Sequence, residues 1–147
     1  MAIFLSLGTV IAYLVSLVPD NPAGLVNQAA GVAAQNNFES YQLKAKQAEA
    51  KMMLSTVYTA QRANDVEFGG FSSDLESLNV STQSDSGRYF VGFADTPEWQ
   101  AICPDCVVSE TGFKAMAVGN LDDDETLDVW TIDENRQVEH LINDIEN

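Results

Sequence analysis

Apolar and polar positions change period along this chain, and the changes divide it. Residues 1–18, MAIFLSLGTVIAYLVSLV, are apolar without interruption by charge. As a helix this run spans about 27 Å, close to the hydrocarbon thickness of a bilayer, and its Leu, Ile, Val and Phe side chains each favour insertion. It lacks the basic n-region of a signal peptide, and no small-x-small site follows it directly. The run therefore predicts a membrane anchor. Pro19 and Pro22 each remove a backbone donor and Gly24 adds freedom, which predicts a kink over 19–24. Residues 25–36, LVNQAAGVAAQN, are rich in Ala; they suit either close helix–helix approach or a plain helical spacer.

From Asn37 to about Ala63 the period becomes helical. Phe38, Tyr41, Ala45, Ala48 and Met52 recur at i+3 and i+4 as one stripe. Leu54, Val57 and Tyr58 extend an apolar face toward a core, while Glu39, Lys44, Lys46, Glu49 and Lys51 mark wetter faces. Asn64-Asp65 and then Gly69-Gly70 predict the helix end and a loop. A polar connector follows over 65–87, with one short helical turn predicted at 72–78 and Ser72 or Ser73 as its N-cap.

The period then shortens to two. RYFVGFA (88–94), GFKAMAV (112–118), LDVWTI (127–132) and the stretch 137–142 read as strands. In the third, Leu127, Val129 and Thr131 alternate with Asp128, Trp130 and Ile132. Together these elements predict an α+β fold: a long N-terminal helix, kinked near 19–24, packed on a small antiparallel sheet of 3–4 strands in meander order. The predicted organisation is a hydrophobic anchor segment with its Pro/Gly break over 1–36, then an amphipathic stem helix and α+β head over 37–147.

Charge narrows the function classes. With 22 acidic against 7 basic residues the formal net charge is −15, which excludes phosphate-backbone binding by the head. The charge is also unevenly placed. No Lys or Arg precedes Lys44, basic residues cluster over 44–62, and acids dominate after Asp65. An acidic head above a locally basic stem predicts head-to-stem contacts between neighbouring copies and assembly that responds to salt.

Two short constellations carry candidate chemistry. Cys103-Pro104-Asp105-Cys106 reads either as a redox pair or as a disulfide pinning a loop. The βαβ frame usual for redox work is missing, and zinc would need two further ligands where His140 is the sole histidine. The second constellation is Gly119–Asp128, GNLDDDETLD, with side-chain oxygens on Asn120, Asp122, Asp124 and Asp128 at loop positions 1, 3, 5 and 9, and a carbonyl on offer at Thr126. Hard cations require oxygens converging from one tight turn, so one reading of this spacing is a Ca²⁺ loop. Glu125 stands where such loops favour Gly, and Thr131 where they favour a bidentate Glu; the other reading is an acidic hairpin turn solvated by its own charge. No nucleophile elbow, Gly-rich phosphate loop or complete catalytic set is present in the sequence, and no enzymatic activity is expected.

The order of several pieces carries a resemblance. NFESYQLKAKQAEAK (37–51), LSTVYTAQR (54–62), RYFVGF (88–93), CPDC (103–106), AVGN (117–120) and DVWTI (128–132) follow one another as in bacterial type IVa pilins, and the group that this succession resembles is the delta-proteobacterial one. The first 36 residues depart from that pattern: they hold no Gly-Phe-Thr-Leu-Ile-Glu-type start, and position 5 is Leu5. The resemblance implies a disulfide between Cys103 and Cys106. It also implies a structural subunit of a type IV pilus-like filament, anchored in the inner membrane before assembly and extracellular afterwards. Its partners would be copies of itself and the pilus assembly machinery. The alternative expectation is a membrane-tethered calcium- or ligand-binding envelope protein that does not polymerise.

Overall fold

A computed structural model of the chain describes residues 22–122 and 124–145. The chain divides between Glu39 and Ser40 into two units, and all packing described below lies in the second, Ser40–Asn147. The described elements are helix α1 (Pro22–Phe68), strand β1 (Tyr89–Gly92), helix α2 (Pro97–Ile102), and strands β2 (Lys114–Gly119), β3 (Asp128–Asp133) and β4 (Val138–Ile142). The strands form one antiparallel sheet in the order β1-β2-β3-β4. The fold is thus α+β, a long N-terminal helix on a four-stranded meander.

α1 runs past the expected end at Asn64-Asp65. Gly69, at φ 78°, stops it instead, and its N–H donates to Asp65 O at 2.9 Å, the left-handed cap that glycine permits at no steric cost. Asn64 and Asp65 are accommodated because each has a local partner: Asn64 Nδ2 donates to Gly70 O at 2.7 Å, and Asp65 accepts from Arg62 at 3.0 Å. The expected break at 19–24 lies partly outside the described residues, and Pro22 to Gly24 fall within α1. The turn expected at 72–78 exists without becoming a helix, and its cap is Asp74: Asp74 Oδ1 accepts from the N–H groups of Glu76 and Ser77.

One face of the sheet packs on α1. Ala50, Leu54 and Val57 meet Tyr89 and Val91 of β1, Ala115 and Ala117 of β2, and Trp130 and Ile132 of β3 in a single buried cluster. Registration sets this face. Tyr89 pairs with Gly119, which pairs with Asp128; Val91 pairs with Ala117, which pairs with Trp130. The opposite face is covered as well. Met116 and Val118 pack with Ala94, Trp99, Ile102, Cys103 and Cys106. Both halves of the alternation in β3 are therefore buried, from Asp128 to Ile132.

The second cover comes from α2, in a region the sequence reading treats as loop. Thr96 caps it by accepting from Trp99 N, Pro97 begins it, and Glu98 lies in its first turn, the arrangement that favours a helix start. Trp99 lies against Gly92, where a Cβ would stand 3.0 Å from the indole ring.

Candidate functional site

Residues 40–68 of α1 carry two apolar stripes. The first, Ala50, Leu54 and Val57, is buried and is flanked by the buried polar side chains of Gln47 and Gln61. At 100° per residue the second, Tyr41, Ala45, Ala48 and Met52, lies roughly 180° around the helix from the first. All four of its members are exposed, Tyr41 at 72% and Met52 at 67%. Phe38 is exposed at 63%. The stripe that the sequence pattern singles out first is thus the one the sheet leaves uncovered. Surface grooves border it: Met52 lines one with Ala45, Ala48 and Arg88, and another with Thr56, Thr59, Ala60 and Ala63.

The acidic loop between β2 and β3 folds through its own side chains. Asn120 Nδ2 donates to Asp124 O at 2.7 Å, and Asn120 Oδ1 accepts from Asp122 N at 3.3 Å. Asp122 Oδ1 accepts from Asp124 N at 3.3 Å, and Asp124 Oδ1 from Thr126 N at 2.5 Å. Of the residues expected as ligands, the loop therefore engages Asn120, Asp122, Asp124 and Thr126 in its internal bonding. Asp122 and Asp124 stand together, and the third carboxylate beside them is Asp144: one oxygen from each lies within 4.8 Å of the others.

Asp144 arrives from beyond β4. It is 3% exposed, and its Oδ2 accepts from Leu121 N at 2.8 Å. Burial pushes its carboxyl pKa upward, the Leu121 bond opposes that, and the charges of Asp122, Asp124 and Asp128 push it further up. The spacing of acids within 120–128 gives no signal for Asp144, because chain folding alone brings it there.

Asp128 has a different place. Its carboxylate is fully buried. Oδ2 accepts from Tyr89 Oη at 2.6 Å and Trp130 Nε1 at 2.7 Å. Oδ1 accepts from His140 Nε2 at 2.8 Å, Gln47 Nε2 at 2.9 Å and Asp144 N at 3.4 Å. Burial alone would raise its pKa, but the bonds from Tyr89, His140, Gln47 and Trp130 outweigh it and hold the group below the usual carboxylate range. For Tyr89, burial comes first and the bond to Asp128 second, and both push the phenol far above its ordinary value. His140 also stacks on Trp130 at 3.6 Å between ring centroids, and the Lys51 ammonium sits 4.1 Å from the Trp130 ring centre. This network joins α1, β1, β3 and β4 through one charge.

Cys103 and Cys106 form a disulfide, with Cα atoms 5.4 Å apart. It closes the end of α2, where Cys103 is the C-cap, and both residues are buried against Met116. With both sulfurs in the disulfide, neither is a thiolate ligand for zinc.

Among the described residues no helix is long and apolar enough to cross a membrane; the anchor expected over 1–18 lies outside them. No family model and no curated protein matches the chain. In shape the fold is pilin-like, a long N-terminal helix packed on an antiparallel sheet.

Proposed function

We propose that the chain is a structural subunit of a type IV pilus-like filament. The observation that carries this reading is the second stripe on α1. A helix needs only one apolar face to pack on its own sheet, and that face is present at Ala50, Leu54 and Val57. Tyr41, Ala45, Ala48 and Met52 add another on the far side, exposed in the isolated chain. Burying Phe38, Tyr41 and Met52 against a second copy would contribute about 1.5–3 kcal/mol for each large side chain, before the costs of association. The alanines between them leave room for two helices to approach closely.

In this reading residues 1–18 hold the subunit in the inner membrane before assembly, and the assembly machinery then passes it into the filament. The N-terminal helices pack against one another in the filament interior. The sheet, the disulfide and the acidic loop face outward. The ordered pieces over 37–133 that resemble type IVa pilins support the same assignment.

The test is microscopy of material sheared from cells making the wild-type chain or the Ala48→Asp, Met52→Glu double variant. Neither residue belongs to the buried cluster, so the variant is expected to fold and to remain cell-associated. Wild-type shearings should contain thin filaments whose tryptic peptides come from this chain; variant shearings should contain none. A wild-type protein that stays monomeric and absent from every filament would favour the tethered, non-polymerising alternative.

A further inference from the structure

We propose that Asp122, Asp124 and Asp144 form a calcium site that fastens the C-terminal segment to the β2–β3 loop. Two observations carry it independently. The first is convergence: one carboxylate oxygen from each residue lies within 4.8 Å of the other two. Oxygen ligands lie at about 2.3–2.6 Å from calcium, so opposite ligands stand about 5 Å apart, and three oxygens so placed fit one coordination shell.

The second is an unmet acceptor. Asp144 is 3% exposed, and among the described residues its buried Oδ1 has no hydrogen-bond partner. Its other oxygen holds the Leu121 N–H at 2.8 Å, which fixes the carboxylate beside the loop. A buried carboxylate oxygen ordinarily has a donor or a cation. Among the described residues no Lys, Arg or His makes an ion pair with Asp122, Asp124 or Asp144. The neighbouring ammonium, Lys46, is directed to the Leu121 carbonyl at 2.5 Å. A cation between the three carboxylates supplies the missing partner.

The donor set selects the ion. All three ligands are carboxylates, with no imidazole or thiolate among them, which disfavours zinc. Two carboxylates come from exposed loop residues and one from a buried position, an irregular group with room for water to complete the shell. Calcium tolerates such a shell, whereas magnesium demands a tighter octahedron and keeps its own waters. The site differs from an EF-hand-type loop in one essential respect: its third carboxylate comes from a separate segment. Binding therefore joins two parts of the chain, and it does so whether or not the subunit polymerises.

The experiment uses the full-length chain in detergent, stripped with EDTA and then given CaCl2 or MgCl2 at constant ionic strength. Calcium should raise the melting temperature on the order of 5–10 °C at a hundredfold excess over Kd, magnesium should raise it much less, and calorimetry should count one calcium per chain. Asp144→Asn and Asp122→Asn should each lose the calcium shift. Asp122 is exposed, so its variant folds and decides the matter even if Asp144→Asn does not. Glu98→Gln, an exposed acid on α2, should keep the full shift. The proposal fails if the wild type shows no shift at about 10 mM calcium, if Asp122→Asn keeps its shift, or if Glu98→Gln loses as much as the loop variants.

Discussion

Asp128 shows how one side chain acquires a role that its neighbours in sequence do not reveal. Its place in an acidic loop makes it look like a cation ligand, but the strand it opens carries it under the helix. There it meets Gln47, Tyr89, Trp130 and His140. Four side-chain donors on one carboxylate, with the Asp144 N–H as a fifth, make the charge tolerable in a buried place, because each bond favours the ionised form. Asp128→Asn would present an amide NH2 to donors that need an acceptor, leaving at least one of them unmet. We expect a loss of about 3 kcal/mol, read as a lower urea midpoint with an unchanged m-value. A variant within about 0.5 kcal/mol of wild type would mean that the network is structurally idle. Gly119 serves the same network by absence. A Cβ there would stand 2.5 Å from the Tyr89 ring, and Tyr89 cannot retreat without releasing Asp128. Gly119→Ala is expected to cost about 1–3 kcal/mol in the same measurement.

At the scale of elements, α1 divides its apolar residues between two tasks, and truncation separates them. Leu54 is fully buried in the cluster beneath the sheet, so Leu54→Ala should cost about 2–5 kcal/mol. Met52 lies on the exposed stripe, and Met52→Ala should change monomer stability by less than about 0.5 kcal/mol. Equal losses would show that the second stripe is covered within the single chain. Much of this architecture was legible in advance. The helical period over 37–63 located the stem, and the alternation in LDVWTI located β3, because backbone geometry alone produces those periods. What was not legible depended on contacts between distant residues. The pattern showed two apolar stripes on the helix without showing which one the sheet would cover. α2 is not legible although Thr96-Pro97-Glu98 is a helix start signal, since a helix of six residues leaves too little periodicity to register. The acidic loop announced itself through Asp122 and Asp124, whereas Asp144 becomes their neighbour only after β3 and β4 have returned the chain.

The whole molecule sets a large negative charge against an apolar helix face, and the balance between them governs association. At about 10 mM salt the Debye length is about 30 Å, and two chains of net charge −15 repel before their stripes meet. At about 150 mM it falls to about 8 Å and short-range packing prevails. Filament yield from the purified chain should therefore rise over that range; indifference to salt would remove charge from the account. The same separation of tasks predicts the behaviour of a truncated chain. Every buried residue of the described core lies between Gln47 and Asp144, and the sheet, the disulfide and the Asp128 network lie wholly within residues 40–147. A fragment starting at Ser40 keeps all of these contacts and loses the apolar residues 1–18, Phe38 and the Ala-rich segment. It should fold with a cooperative melt within a few degrees of the full-length chain, because it keeps every buried contact of the described core, and should remain monomeric at every salt concentration. Failure of the fragment to fold would place part of the stabilising core upstream of Ser40. A fragment that folds and still forms filaments would show that the exposed stripe from Tyr41 to Met52 is sufficient for polymerisation without the apolar N-terminus.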